Sequence, residues 1–213
     1  MSDIRIKTCV LGQVSTNCYL VYDEQTKEGA VIDPADNAPY ILNKCSELGI
    51  TLTAVLLTHG HFDHIMAVPD VLRAFRVKVY AYETEENMLA DTKLNMTGGF
   101  RGPQTSLHAD VLLHDGQELD LLGTRWKVLF TPGQTAGSCC FYLPDQGIVF
   151  AGDTLFCGSY GRTDLPTGNT IRIVSSIVDV LFKLPDDTMV YTCLLYTSPS
   201  QRDTRSSRMP SSA

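Results

Sequence analysis

Within six residues, His59-Gly60-His61-Phe62-Asp63-His64 holds three of the chain's five histidines and an aspartate. It directly follows the apolar run Leu52–Leu57, which reads as a buried strand flowing into Thr58. Imidazole and carboxylate are the donors that borderline divalent ions such as Zn²⁺ prefer. In an extended loop, side chains two residues apart project to the same side, so His59 and His61 can grip one ion. Asp63 and His64 open the next helix and can turn toward a neighbouring ion, while Gly60 permits close backbone approach. The competing reading is a polar loop with incidental histidines. Four ligand-type side chains in six positions behind a buried strand count against it.

The rest of the pattern surrounds this loop with sheets. Ile4–Leu11, Cys18–Tyr22 and Ala30–Ile32 have strand character, the last ending in the turn Asp33-Pro34. Tyr40–Leu48 carries helical apolar spacing stopped by Gly49, and Val68–Phe75 and Glu83–Ala90 also suit helices around a strand at Val77–Ala81. Asn95–Ala109 lacks a pattern and reads as a surface loop. A second β-rich stretch follows at Val111–Leu113, Thr124–Phe130, Cys139–Leu143 and Ile148–Ala151. An amphipathic helix is expected over Ile171–Leu184 and a strand over Met189–Tyr191. Strands then helices, twice over, predict an α/β fold of two packed sheets with helices outside.

Charge and cysteine content narrow the partners. A net charge of −7 makes nucleic acid a poor partner, and no apolar run is long enough to span a membrane. The first residues lack the apolar stretch of a signal peptide, and seven irregularly spaced cysteines without a CxxC pair read as reduced packing thiols. Together these predict a cytoplasmic protein.

Further motifs follow the histidine loop in order. Thr131-Pro132-Gly133-Gln134-Thr135-Ala136-Gly137-Ser138 and Phe150-Ala151-Gly152-Asp153-Thr154-Leu155-Phe156 each close a predicted strand, and Gly158–Pro166 contains Arg162. With the histidine loop and Asp33-Pro34, this set resembles the metallo-β-lactamase-fold hydrolases, in particular the small bacterial relatives of glyoxalase II (hydroxyacylglutathione hydrolase). The resemblance covers residues 4–192. It implies a four-layer αββα sandwich and two divalent ions, zinc first with iron or manganese as alternatives. The ligands it implies are His59, His61, Asp63, His64, Asp153 and the residue at 134. Asp33 would support the ligands from behind, and Asp63 and Asp153 would hold the second ion and orient the nucleophile. The implied reaction is attack of a metal-bound hydroxide on a small-molecule thioester or ester. Arg162 could meet a substrate carboxylate, or could equally pair with a loop acid such as Asp164. His108 and His114 lie outside every motif and read as surface or structural.

Two features depart from the family. Its ligand histidine at 134 is here Gln134, a neutral and weaker donor, explained either by a variant with altered metal choice or by a one-base sequencing error. Its final histidine, in a Pro-Gly-His turn after the last strand, has no counterpart after Tyr191. Residues 193–213 hold three Arg, six Ser and no apolar periodicity, and resemble an in-frame translation of a sequencing-library adapter. The expected organisation is therefore a hydrolase domain over 1–192, C-terminally truncated, with a non-native tail over 193–213. Without that tail the net charge becomes −9, so the acidic character stands.

The competing functions are a sulfur dioxygenase or lactonase on the same fold, a nuclease disfavoured by charge, and a metal-poor inactive chain. A β-lactamase is set aside because that class usually lacks a histidine at the place of His64. The sequence leaves the oligomeric state open.

Overall fold

The computed structural model describes residues 2–99, 104–193 and the backbone of 207–208. Strands β1 (Ile4–Leu11), β2 (Thr16–Asp23) and β3 (Glu28–Ile32) form an antiparallel meander. Helix α1 (Ala38–Leu48) then crosses to β4 (Thr51–Leu56), which pairs parallel to β3. Asn37 starts α1 by accepting the Tyr40 amide on its side chain, and Gly49 stops it in the left-handed conformation. After β4 come α2 (Phe62–Ile65) and α3 (Val68–Phe75), then β5 (Lys78–Tyr82), a 3₁₀ turn over Glu83–Glu85, α4 (Glu86–Ala90) and β6 (Val111–Leu113). The first sheet is thus six-stranded in the order β1-β2-β3-β4-β5-β6.

The second sheet contains β7 (Glu118–Leu121), β8 (Thr124–Phe130), β9 (Cys139–Leu143), β10 (Ile148–Gly152), β11 (Met189–Thr192) and the two-residue β12 (Ser207–Arg208). Its order is β12-β11-β10-β9-β8-β7, antiparallel except for β10 with β11. A final helical segment begins with α5 (Thr170–Ser175).

Side chains alternate across each strand, and this period of two builds the layers. Tyr19, Val21, Ala30, Ile32, Ala54 and Leu56 face Trp126, Val128, Cys139, Phe141 and Phe150 between the sheets. Their sequence neighbours Leu20, Val31 and Val55 pack outward against Ile41, Cys45, Val68 and Val71 of the helices. On the far side Cys140, Tyr142, Val149 and Ala151 meet Leu181. Cys139 and Cys140 therefore serve opposite faces of β9, and all seven cysteines are free thiols. The architecture is the expected four-layer αββα sandwich.

Three expectations need correction. Ile171–Leu184 is not one regular helix: α5 widens into a π turn over Ser176–Val180 and tightens into a 3₁₀ turn over Leu181–Lys183. Ile173, Ile177 and Leu181, four apart, are the inward residues, and a regular helix would rotate each such step off line. The wider turn takes up that rotation. Asn95–Ala109 is more than a surface loop, because Asn95, Thr97, Thr105 and Leu107 are buried and Asn95 Nδ2 donates to Leu89 O and Thr105 O. Edge strand β7 had no sequence counterpart, since its side chains alternate only between exposed and half-buried. The expected tail falls on residues of which only Cys193 and the 207–208 backbone are described.

Candidate metal centre

The loops that follow β3, β4, β8 and β10 meet at one end of the sandwich and bring the motifs together. Asp33, fully buried just after β3, organises them. Its carboxylate accepts the Thr58 amide at 2.8 Å, the Thr58 hydroxyl at 2.6 Å and His64 Nδ1 at 3.0 Å. With Nδ1–H given to Asp33, Nε2 is the His64 nitrogen left to face the interior. The Thr58 hydrogen is committed to Asp33, so Thr58 Oγ1 accepts from His59 Nδ1 at 3.2 Å and His59 turns a bare Nε2 inward. His61 aims Nδ1 the same way.

Asp153 approaches from the opposite sheet. Gly152 before it has φ +52°, and a Cβ there would lie 2.5 Å from Thr58 Oγ1, so only glycine lets the β10 loop close on the histidine loop. His64 Nε2 lies 3.5 Å from Asp63 Oδ2 and 3.5 Å from Asp153 Oδ1. Donors bound tetrahedrally at 2.0–2.1 Å stand about 3.4 Å apart, and among the described residues His59, His64 and Asp153 form a group whose donor atoms all lie within 4.8 Å of one another, with Asp63 adjoining it at His64. His64 Nε2 and Asp153 Oδ1 are buried and have no hydrogen-bond partner among the described residues. Thr16 at the start of β2 fixes Asp63 by donating to Oδ2 at 3.0 Å.

The other expected set is built differently. His59 Nε2, His61 Nδ1 and Asp153 Oδ2 all face Gln134 Nε2, at 3.4, 3.2 and 2.6 Å. His59, His64 and Asp153 therefore stand close enough together to hold an ion, whereas the space between His59, His61 and Asp153 is filled by the Gln134 amide nitrogen.

Electrostatics follow the geometry. Burial, with His64 and His61 nearby, holds His59 well below the ordinary imidazole value, and burial brings His61 down to about 4, so both are neutral donors at pH 7. Burial also opposes charge on His64, but Asp63, Asp153 and Asp33 outweigh it and raise its proton affinity well above normal. Burial raises the Asp63 carboxyl, while the His64 field overcomes burial at Asp153 and holds it low. Positive charge at the meeting point of these carboxylates is what the site favours.

One functional residue had no signal in the sequence. Glu85, 1 % exposed, accepts the Gly60 amide at 2.8 Å, the Gly137 amide at 2.9 Å and the Thr135 hydroxyl at 2.9 Å. It ties the histidine loop to the loop carrying Gln134, and burial pushes its carboxyl up to about 7. In sequence it is one of three acids at the head of an unremarkable helix. Arg162 sits at the cavity rim in a bidentate pair with Asp164, Nε to Oδ1 at 2.8 Å and Nη2 to Oδ2 at 2.7 Å. The loop-acid reading of Arg162 is thus realised. His108 and His114 are exposed and pair with Glu86 and Glu83.

The sequence model described as Metallo-beta-lactamase superfamily matches residues 11–193. The chain belongs to the metallo-β-lactamase superfamily. Among curated members, the probable metallo-hydrolase YqgX of Bacillus subtilis is 39 % identical over 182 residues, 84 % of this chain and 85 % of the relative. Hydroxyacylglutathione hydrolase GloC of Haemophilus influenzae is 33 % identical over 180 residues, 82 % of each. Among solved members, BLEG-1, a B3 metallo-β-lactamase, superposes with TM-score 0.84 at 34 % identity, covering 89 % of this chain and 91 % of that one. TTHA1623 in a di-iron-bound form gives 0.78 at 32 %, covering 88 % and 91 %. ETHE1 from Myxococcus xanthus gives 0.74 at 30 %, covering 92 % and 78 %. Superfamily membership makes this chain a hydrolase-fold protein of a metal-dependent class, and no described helix is long and apolar enough to cross a membrane.

Proposed function

We propose that this superfamily member hydrolyses a thioester or ester, of hydroxyacylglutathione type, with one divalent ion, zinc first, held about His64 and Asp153 with Asp63 beside them. The observation that carries the reading is the buried donor group His59, His64 and Asp153, with Asp153 and the adjoining Asp63 lining a cavity of about 860 Å³. Val14, Phe62, Met96, Phe156 and Tyr160 line that cavity with apolar surface, and Arg162 adds the charge at its rim. This suits an acyl chain with an anionic handle. An ion held by the trio supplies a Lewis acid and an acidified water. Asp63 lines the cavity with Thr16 holding Oδ2, so its carboxylate can orient the attacking water. Asp33 fixes the His64 ring through Nδ1 and keeps Nε2 in its donor state. The Arg162–Asp164 pair is exposed, so a substrate carboxylate can replace Asp164 on the guanidinium at small cost.

The acidic surface disfavours nucleic acid, and the free thiols suit a reducing cytoplasm. GloC supports the thioester reading. The His59, His64 and Asp153 donor group, with the likeness to ETHE1, supports a one-metal sulfur dioxygenase as the second reading.

The test supplies the purified chain with Zn²⁺, Fe²⁺ or Mn²⁺ in turn. It is then assayed against S-lactoylglutathione, a neutral acyl ester, a chromogenic cephalosporin and glutathione persulfide with oxygen uptake. Chelator-sensitive thiol release from the thioester is expected, slow because the set is incomplete. Arg162→Ala should raise KM for the anionic thioester about tenfold and leave the neutral ester unchanged. Oxygen uptake or β-lactam cleavage without thioester turnover would overturn the proposal.

A further inference from the structure

We infer that the Gln134 carboxamide takes the place of one of the two ions expected of the family, so that this chain holds a single ion, at the side of the site built on His64 and Asp153. The inference deepens the metal reading above and rests on it for the identity of the occupied set.

The amide nitrogen stands where three inward donors converge, 2.6 Å from Asp153 Oδ2, 3.2 Å from His61 Nδ1 and 3.4 Å from His59 Nε2. Its orientation is fixed by chemistry. An ionised carboxylate only accepts, so the amide atom at hydrogen-bond distance from Asp153 is the nitrogen. His59 gives Nδ1–H to Thr58 and so offers a lone pair at Nε2. The two N–H bonds of one amide thus serve electron pairs that would otherwise face a cation. A neutral group with two partial positive hydrogens faces three acceptors in place of a dipositive ion, while its own Oε1 is buried with no partner among the described residues.

The plug is also held from behind. Gln134 is 3 % exposed, and Gly161 packs so closely that a Cβ there would overlap Gln134 Oε1. The Gly161 amide donates to Asp153 O at 2.8 Å, which joins this backing segment to the opposing ligand loop. Asp153 divides between the two halves, Oδ2 to the amide and Oδ1 toward His64. The amide therefore leaves open the oxygen that the remaining ion needs.

The experiment is equilibrium dialysis of the chelator-stripped full chain against Zn²⁺ and, separately, Co²⁺. Bound metal is counted by plasma mass spectrometry and the Co²⁺ absorption spectrum is recorded. Wild type should bind one ion per folded chain. Gln134→His should bind two, with a second set of Co²⁺ bands. His61→Ala should change the wild-type affinity by less than about twofold, while His64→Ala should weaken it more than 100-fold. Far-UV circular dichroism restricts the counts to folded protein, and the Gln134→His result stands if either alanine variant fails to fold. Two ions in wild type, one ion lost with His61→Ala but not His64→Ala, or no second ion in Gln134→His would each overturn the plug. Metal bound by neither wild type nor Gln134→His would remove the metal reading itself.

Discussion

Replacing Gly152 by alanine isolates the contact that joins the two halves of the site. Two costs add there. The backbone at φ +52° is left-handed, which an L side chain adopts at about 1–2 kcal/mol. The new methyl would also stand 2.5 Å from Thr58 Oγ1 and 2.7 Å from Thr58 Cβ. Thr58 cannot turn away freely, since its hydroxyl is committed to Asp33 at 2.6 Å. Relieving the overlap costs about 1–3 kcal/mol in shifted packing. Losing the bond to the carboxylate costs about 1.5–3 kcal/mol more. Gly147 is the control, with φ +62° and nothing within 4 Å of an added Cβ, so its alanine variant carries the backbone cost alone. In chelator-treated protein, urea unfolding should place Gly152→Ala roughly 2.5–6 kcal/mol below Gly147→Ala. That is a large share of the 5–15 kcal/mol typical of a domain, so bound metal should fall with it. Equal stabilities for the two variants, within about 0.5 kcal/mol, would refute the argument that Thr58 is immovable.

Asp33→Asn should weaken metal binding about 10–100-fold in chelator competition, because His64 loses the acceptor that fixes its ring; unchanged affinity would show that packing alone orients it. Glu85→Ala leaves two buried amides and the Thr135 hydroxyl without their acceptor and should cost about 3 kcal/mol or more in urea unfolding; a loss under about 1 kcal/mol would mean the loops are held elsewhere. The His61 proton affinity is depressed to about 4 by burial, so the unfolded chain takes up this proton first as pH falls. Its contribution to stability is complete above about 6.5 and disappears as pH drops toward that folded value. In the metal-free protein the His61 ring resonance should therefore stay flat from pH 8 to about 5 by NMR, and a midpoint near 6.5 would contradict its burial as the cause.

Much of the fold was legible because period-two alternation is local. Cys139-Cys140 and Val149-Phe150-Ala151 declare two buried faces without any knowledge of what covers them. Edge strand β7 was not legible, since a strand that buries little shows little alternation. The π turn after α5 was hidden as well, because it answers the line along which Ile173, Ile177 and Leu181 meet the second sheet. A polar stretch such as 95–109 looks like surface until the tertiary fold wraps Asn95.

The same division runs through the site. The sequence alone gathered the candidate donors, because His59, His61, Asp63 and His64 lie within reach of one another along the chain, and it exposed Gln134 as a departure. Only the tertiary structure decided what that departure does. Whether an amide 75 residues from His59 presents oxygen to a cation or nitrogen to its ligands depends on Asp153 and Gly161 closing from the other sheet. Glu85 is the purest case, a carboxylate whose partners lie 25, 50 and 52 residues away. Hydrogen-bond demand of that kind is set by which loops the fold brings together, and no local pattern records it.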